Sequence, residues 1–200
     1  MTNIKLYVEG GGNSREQHAR CREGFRKLLE KAGFLGRMPR IIAGGGRRNT
    51  FDQFRTAIHN AKQNEYPILL VDSEDAINGN MTSWEHLKAR DNWDCPYGAA
   101  SDQVQLMVTC METWIMADKT ALLTYFGQCI VEDQLFPINN LEIRNRHDIQ
   151  DALVAATHSC KKTYRKGDRS FEILAELNPK ILIVHLPHFA AFITSLDRHL

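Results

Sequence analysis

The run Pro67-Ile68-Leu69-Leu70-Val71-Asp72-Ser73-Glu74-Asp75 is the stretch of this sequence that most directly indicates its fold. Its first five residues are apolar, which is typical of a strand buried on both faces of a parallel sheet. The run then changes abruptly to acidic residues. Because open parallel sheets bind ligands outside the carboxyl ends of their strands, these acids lie where a binding site is expected.

The sequence before this run contains two more candidate strands. Residues 4–8 and 40–43 are rich in β-forming residues, and each segment is followed by three glycines. Apolar residues at helical spacing come next, in residues 14–32 and 51–61. This alternation of strands and helices predicts right-handed βαβ units and a parallel sheet.

We therefore expect an α/β fold with a parallel sheet of about four strands flanked by helices, and a helical C-terminal part. Residues 104–108 are the candidate for the fourth strand. We place an α/β core at residues 1–126. A helical C-terminal extension, packed on the same domain, would occupy residues 127–200.

Composition limits the classes of function. The net charge is +1, so any surface that binds anions must be local. The five cysteines are odd in number and form no Cys-x-x-Cys pair, which argues against a disulfide framework or a zinc ribbon and favours a reducing compartment. The N-terminus has no signal-peptide pattern, and no apolar run is long enough to cross a bilayer. We expect a cytoplasmic protein without a membrane partner, and a homo-oligomer is compatible with the sequence.

Acidic residues follow three of the candidate strands. Glu9 follows the first, Asp72 and Glu74 follow the third, and Glu112 comes shortly after the fourth. Carboxylates that meet at one edge of a sheet repel each other, which raises their pKa values unless a cation neutralises them. Oxygen ligands of this kind suit Mg²⁺ or Mn²⁺, so we predict a divalent-metal site. For any one of these acids alone, a helix cap or a surface charge is the alternative.

Two basic segments are candidates for phosphate binding. Arg47 and Arg48 follow the second glycine run where a helix is expected to begin, an arrangement that suits a phosphate group. A solvated turn is the alternative. Residues 161–169 are the densest basic stretch and include Lys166, which would suit contacts with a phosphate backbone, although charge runs are often merely solvated. Neither glycine run forms a dinucleotide fingerprint or a P-loop.

These segments resemble the Toprim fold of topoisomerases, primases and overcoming-lysogenization-defect nucleases. Val8-Glu9-Gly10 is similar to its first motif, and Leu70-Val71-Asp72-Ser73-Glu74 to its second, with Glu74 or Asp75 in place of the usual last Asp. A closer resemblance, over most of the chain, is to an uncharacterised bacterial Toprim-like family that is often encoded beside ATPases in phage-defence or mobile loci. The Met-Glu-x-Trp-x-x-Ala-Asp segment of that family corresponds to residues 111–118, and its Tyr-x-Lys-Gly segment to residues 164–167.

The resemblance implies a metal-dependent phosphodiesterase of Toprim type that cuts DNA or RNA, with a partner ATPase in phage defence. The implied ligands of one or two Mg²⁺ or Mn²⁺ ions are Glu9, Asp72 and Glu74, with Glu112 or Asp118 completing the shell. Lys166, or one of Arg47 and Arg48, would neutralise the charge that develops on the phosphate.

Two alternatives remain open at this point. The first is a non-catalytic interaction or sensor subunit of an ATPase system, since Glu74 in place of Asp lengthens a ligand arm. The second is a primase-like or topoisomerase-like enzyme, which we rank last because this sequence contains no separate domain for primer synthesis or strand passage. Fold resemblance alone does not decide between them.

Overall fold

The computed structural model describes residues 2–167 and 169–200 and contains one parallel sheet of four strands. The strands are β1 (Asn3–Val8), β2 (Arg40–Ala43), β3 (Glu65–Asp72) and β4 (Val104–Met107), in the order β2-β1-β3-β4. The helices are α1 (Arg15–Leu29), α2 (Arg47–His59), α3 (Ser83–Asp91), α4 (Met111–Ala117), α5 (Lys119–Phe126), α6 (Arg146–Ala156), α7 (Ser170–Glu176), α8 (Pro179–His185) and α9 (Pro187–His199). The predicted fold class, a four-stranded parallel sheet flanked by helices with a helical C-terminal part, is confirmed.

Both faces of the sheet are covered, which explains the continuous apolar run in β3. Successive side chains of a strand point to opposite faces. Leu6 and Leu70 therefore lie in one buried cluster with Phe25 of α1. Leu69 lies in a second cluster, on the opposite face, with Phe54 of α2. A strand that is buried on both faces has no solvent-exposed side, so polar residues are expected only at its ends.

The connections diverge on either side of β1. The chain leaves β1 through α1 to reach β2, and then returns through α2 to reach β3 on the other side of β1. Since α1 and α2 pack on opposite faces of the sheet, a crevice opens at the carboxyl ends of β1 and β3. Glu9 and Asp72 lie at this crevice.

The C-terminal helices share the larger cluster with the first half of the chain. Every residue of α4 is buried, and its Trp114 ring contacts Phe25, Phe189 and Phe192. Within the described residues, no single helix is long and apolar enough to cross a membrane; α8 and α9 meet the length and composition criteria only together, as a pair bent by 118°.

The structure contains a disulfide, although the cysteine pattern argued against a disulfide framework. Cys129 and Cys160 form one, with 5.2 Å between their Cα atoms. They are 31 residues apart in the sequence and are brought together by α6 between them, so no local spacing signals the pair. The cysteine pattern consequently gives no support for a reducing compartment. Cys21, Cys95 and Cys110 are free thiols.

Candidate metal centre

Glu9 follows β1 directly and faces the end of β3. Its backbone N–H donates to the carbonyl of Leu70 at 2.9 Å, which extends the sheet pairing one residue beyond β1. Its Oε2 accepts hydrogen bonds from the backbone N–H of Asp72 and from Nη1 of Arg47, each at 3.2 Å. Burial raises the pKa of Glu9, although the Arg47 charge opposes the shift. Glu9 is thus a half-buried acid held at the crevice.

Asp72 is the last residue of β3 and is only 5% exposed. Its Oδ1 accepts a hydrogen bond of 2.9 Å from the backbone N–H of Met111, the first residue of α4. Burial raises the pKa of Asp72 from 3.8 to about 8, and the charges of Glu9 and Glu112 contribute to the shift. A carboxyl group in such surroundings keeps its proton near neutral pH unless a cation compensates the negative potential.

Glu74 adopts a backbone conformation that favours glycine. Its φ is 70°, in the left-handed region, and its N–H donates to the carbonyl of Thr109 at 2.7 Å. This conformation costs a non-glycine residue about 1–2 kcal/mol. The side chain of Glu74 lies beside the side chains of Glu9 and Asp72. Such strain is concentrated at functional sites, and here it favours a functional role for Glu74.

The three predicted strand-end acids come together in the structure. Glu9, Asp72 and Glu74 each place one carboxylate oxygen within 4.8 Å of the other two. Hard oxygen donors at this spacing suit one Mg²⁺ or Mn²⁺ ion. The raised pKa of Asp72 is a second sign of fit, because burial and the neighbouring charges of Glu9 and Glu112 disfavour its ionised form, which a bound cation would stabilise.

Glu112 and Lys166 lie beside this cluster. Glu112 is fully buried on the first turn of α4, and its carboxylate accepts hydrogen bonds from the Tyr164 hydroxyl at 2.9 Å and from Gln150 Nε2 at 3.3 Å. Lys166 Nζ is 3.7 Å from Glu112 Oε2 and 3.7 Å from Asp72 Oδ2. Burial lowers the pKa of Lys166, but these carboxylates outweigh it and leave the pKa raised. Lys166 is therefore a cation at neutral pH.

The loop that carries Lys166 is anchored by polar contacts from both ends. The N–H of Tyr164 donates to Thr157 Oγ1 at 2.8 Å, and the N–H of Gly167 donates to Ser170 Oγ at 3.0 Å. Three further basic side chains of this loop are exposed and form no ion pair with any residue that the structure describes: Lys161, Lys162 and Arg165. The loop thus presents local positive charge beside the acids.

Arg47, one of the two predicted phosphate-binding arginines, makes its contacts within the protein. Its side chain is 14% exposed and pairs with Asp91 through Nε at 3.1 Å and Nη2 at 2.6 Å. It also donates to Glu9 and to the backbone carbonyl of Asp72, and its guanidinium lies 5.0 Å from the centre of the Trp93 ring. These contacts hold the ends of β1 and β3 in place.

Arg48 and Asp118 are engaged elsewhere. Arg48 is exposed and its Nε donates to Asp52 at 3.1 Å on the same helix. Asp118 is 2% exposed; its Oδ1 caps α5 by accepting from the N–H of Ala121 at 3.0 Å, and its Oδ2 accepts from the N–H of Asn178 at 2.7 Å. The structure brings together five of the site residues proposed from the sequence: Glu9, Asp72, Glu74, Glu112 and Lys166. Arg47 lies behind them. Arg48 and Asp118 are not part of this group.

Sequence reasoning missed two arginines that reach Glu74. Arg90 Nη2 lies 3.2 Å from Glu74 Oε2, and Arg146 Nη1 forms an ion pair with the same oxygen. Arg90 is on α3 and Arg146 begins α6, so both are distant from Glu74 in the sequence. The one local signal is that Arg146 begins a helix directly after Asn145, a residue type that is common at helix N-caps.

Two glycine loops form the wall of the site. Gly10 and Gly45 exchange backbone hydrogen bonds of 2.9 and 3.0 Å, which joins the loops after β1 and β2. Gly45 has a φ of 78°, and a Cβ there would lie 2.8 Å from the carbonyl oxygen of Gly12. These loops line a cavity of about 210 Å³ together with Glu9, Asp72 and Lys166.

The sequence from residue 8 to residue 197 matches the model of a protein family described as a domain of unknown function, DUF4276. A comparison with curated proteins and one with solved structures gave no match. The expected membership of a family without an assigned activity is confirmed, whereas the relation to Toprim enzymes and to ATPases remains a prediction.

Proposed function

The chain belongs to the DUF4276 family, whose matched region contains the whole candidate site, and we propose that it is a divalent-metal-dependent phosphodiesterase acting on DNA or RNA. The observation that carries the proposal is the convergence of Glu9, Asp72 and Glu74 at the carboxyl ends of neighbouring parallel strands. Glu9 comes from a different part of the chain than Asp72 and Glu74, and all three acids share one edge of the sheet. Mg²⁺ or Mn²⁺ is the proposed cofactor.

A divalent ion bound to these carboxylates would polarise a phosphoryl oxygen and lower the pKa of a bound water. The other groups of the site have roles that need no metal. Lys166 can donate to a phosphate oxygen at the cavity, because its side chain is 56% exposed and positively charged. Glu112 positions that ammonium, and Tyr164 and Gln150 in turn hold Glu112 by hydrogen bonds.

The cavity is smaller than a typical pocket for a small molecule. Pockets that enclose small molecules measure about 300–1,000 Å³, and this cavity measures about 210 Å³. It has room for a phosphate group. The exposed Lys161, Lys162 and Arg165 would then contact neighbouring phosphates of the same strand.

The test is cleavage of a supercoiled plasmid and of a single-stranded RNA, with Mn²⁺, with Mg²⁺ and with EDTA. Glu9→Gln keeps the shape of the side chain and removes its charge, and we expect it to lower the cleavage rate about 100-fold or more. Glu16→Gln is the matched control, since Glu16 is an exposed acid on α1. Equal rates for the wild type and Glu9→Gln would refute the proposal, as would undiminished cleavage in EDTA.

A second candidate is a non-catalytic interaction or sensor module. It is favoured by the arginines that already neutralise the acids, Arg47 on Glu9 and both Arg90 and Arg146 on Glu74. In that case the partner would be an ATPase and the role would be in phage defence, as the Toprim-like resemblance implies. Calorimetric titration with Mn²⁺ separates the candidates: the module binds no metal up to millimolar concentrations, and the enzyme does.

A further inference from the structure

The first turn of α6 reaches the acids on two sides of the site. Asn145 caps this helix, and Arg146 is its first residue. Arg146 and Gln150 are one turn apart and therefore lie on the same face of the helix. Arg146 pairs with Glu74, while Gln150 donates to Glu112 at 3.3 Å. One helical turn thus places a guanidinium and an amide against the site.

The two arginines on Glu74 differ in how many carboxylates they contact. Arg90 pairs with Glu74 at 3.2 Å, with Asp75 at 3.1 Å and with Asp91 at 2.6 Å. Glu74 is the only carboxylate that pairs with Arg146 in the part of the chain that the structure describes. If the charge of Glu74 were taken up by a divalent ion, Arg90 would keep two acidic partners and Arg146 would keep none.

The pairing of Glu74 depends on this exchange. Arg90 and Arg146 both pair with Glu74, so the charge of this carboxylate is neutralised without any added ion. A dication bound to Glu74 would therefore repel the guanidinium of Arg146, which competes for the same carboxylate. An anion that contacts both the dication and the guanidinium would relieve this repulsion.

We infer that Arg146 is a phosphate-binding residue that pairs with Glu74 until a divalent ion binds, and then donates to the phosphate group of the substrate. Its planar fork of donors matches two phosphate oxygens, which the single ammonium of Lys166 cannot do. The side chain is 27% exposed, so it can turn to a ligand. The identity of the phosphate as part of a nucleic acid rests on the proposed function.

The inference predicts effects of opposite sign on two affinities. Arg146→Gln removes the competitor for Glu74, so we expect it to bind Mn²⁺ about 3- to 10-fold more tightly than the wild type, measured by calorimetry without substrate. It also removes the phosphate ligand, so we expect it to bind a fluorescent phosphorothioate oligonucleotide about 10-fold more weakly in Mn²⁺, measured by anisotropy. Arg146→Lys should recover part of the oligonucleotide affinity, because it restores the charge without the fork.

The matched control is Arg37→Gln. Arg37 pairs with Asp197 away from the site, and its loss should change neither affinity. A merely structural role for Arg146 would weaken both affinities together or change neither, and either result would overturn the inference. If the wild type cuts no substrate while the opposite effects are found, the proposed enzyme function fails and the role of Arg146 stands. If the wild type cuts and Arg146→Gln binds the oligonucleotide normally, only the inference fails.

Discussion

Glu9 and Asp72 are 63 residues apart in the sequence, yet the backbone N–H of Asp72 donates a 3.2 Å hydrogen bond to Glu9 Oε2. The contact follows from the parallel register of β1 and β3, which pairs Val8 with Leu70 and leaves both acids just beyond the paired segment. A backbone donor thus fixes one carboxylate beside the other.

The metal-free protein should lose stability as the pH rises from about 4 to about 8. The pKa of Asp72 is raised from 3.8 to about 8 by burial and by neighbouring acids, so in this range the folded state binds a proton that the unfolded state has released. The slope from this group is at most about 1.4 kcal/mol per pH unit. Urea unfolding at several pH values measures it.

Asp72→Asn is the matched variant for that measurement, because its amide oxygen can still accept the hydrogen bond from Met111. It should remove the slope, and saturating Mn²⁺ should remove it in the wild type. An identical pH dependence in the metal-free wild type and in Asp72→Asn would contradict this account of the site.

Lys166→Ala should slow cleavage by about 100- to 1,000-fold, as expected when a group that stabilises transition-state charge is lost. The substitution should not weaken Mn²⁺ binding, since the loss of the lysine ammonium leaves Asp72 and Glu112 with less positive charge nearby. Single-turnover rates and metal titration give the two values. Lys162→Ala is the control: it should cost little rate and should reduce the salt dependence of nucleic-acid binding. A loss of Mn²⁺ affinity in Lys166→Ala would show that the lysine has another role.

Asp118→Ala should destabilise the protein without affecting the metal site. The substitution removes the cap of α5 and leaves the N–H of Asn178 without its acceptor. Together these losses should cost about 2–4 kcal/mol. Urea unfolding and Mn²⁺ titration measure the two effects. Weaker Mn²⁺ binding with unchanged stability would instead make Asp118 a metal ligand.

Gly45→Ala should destabilise the protein more than Gly98→Ala. Both glycines have positive φ, but a Cβ at Gly45 would lie 2.8 Å from the Gly12 carbonyl oxygen, whereas a Cβ at Gly98 meets nothing within 4 Å. The strain of the left-handed conformation is common to both variants and costs about 1–2 kcal/mol. The difference in their unfolding free energies therefore measures the contact between the two glycine loops. Equal destabilisation would mean that this close contact has no energetic importance.

The strand-end acids were predictable because their positions follow from local sequence and one general rule. An apolar run that ends in Asp72 and Glu74 indicates a buried parallel strand, and parallel strands place their carboxyl ends at one edge. Glu9 followed from the same reasoning applied to residues 4–8. The expected family membership could also be obtained from the sequence, through motifs such as residues 111–118.

Other parts of the site depend on tertiary contacts that no local pattern encodes. Arg47 was expected to bind phosphate, but the position of Asp91 on α3 gives it an internal partner. Arg146 reaches Glu74 only because α6 packs against α4, and a single arginine at a helix start gives no sign of this. The pairing of Cys129 with Cys160 was missed for the same reason.

A crystal structure of the protein soaked in Mn²⁺, with anomalous scattering used to locate the ion, tests whether the three strand-end acids bind a metal. We expect an anomalous peak about 2.2 Å from carboxylate oxygens of Glu9, Asp72 and Glu74, and no peak at this place in Glu9→Gln. An ion bound elsewhere, or no ion at this place when Mn²⁺ is in millimolar excess, would contradict the claim that these three acids form a metal centre.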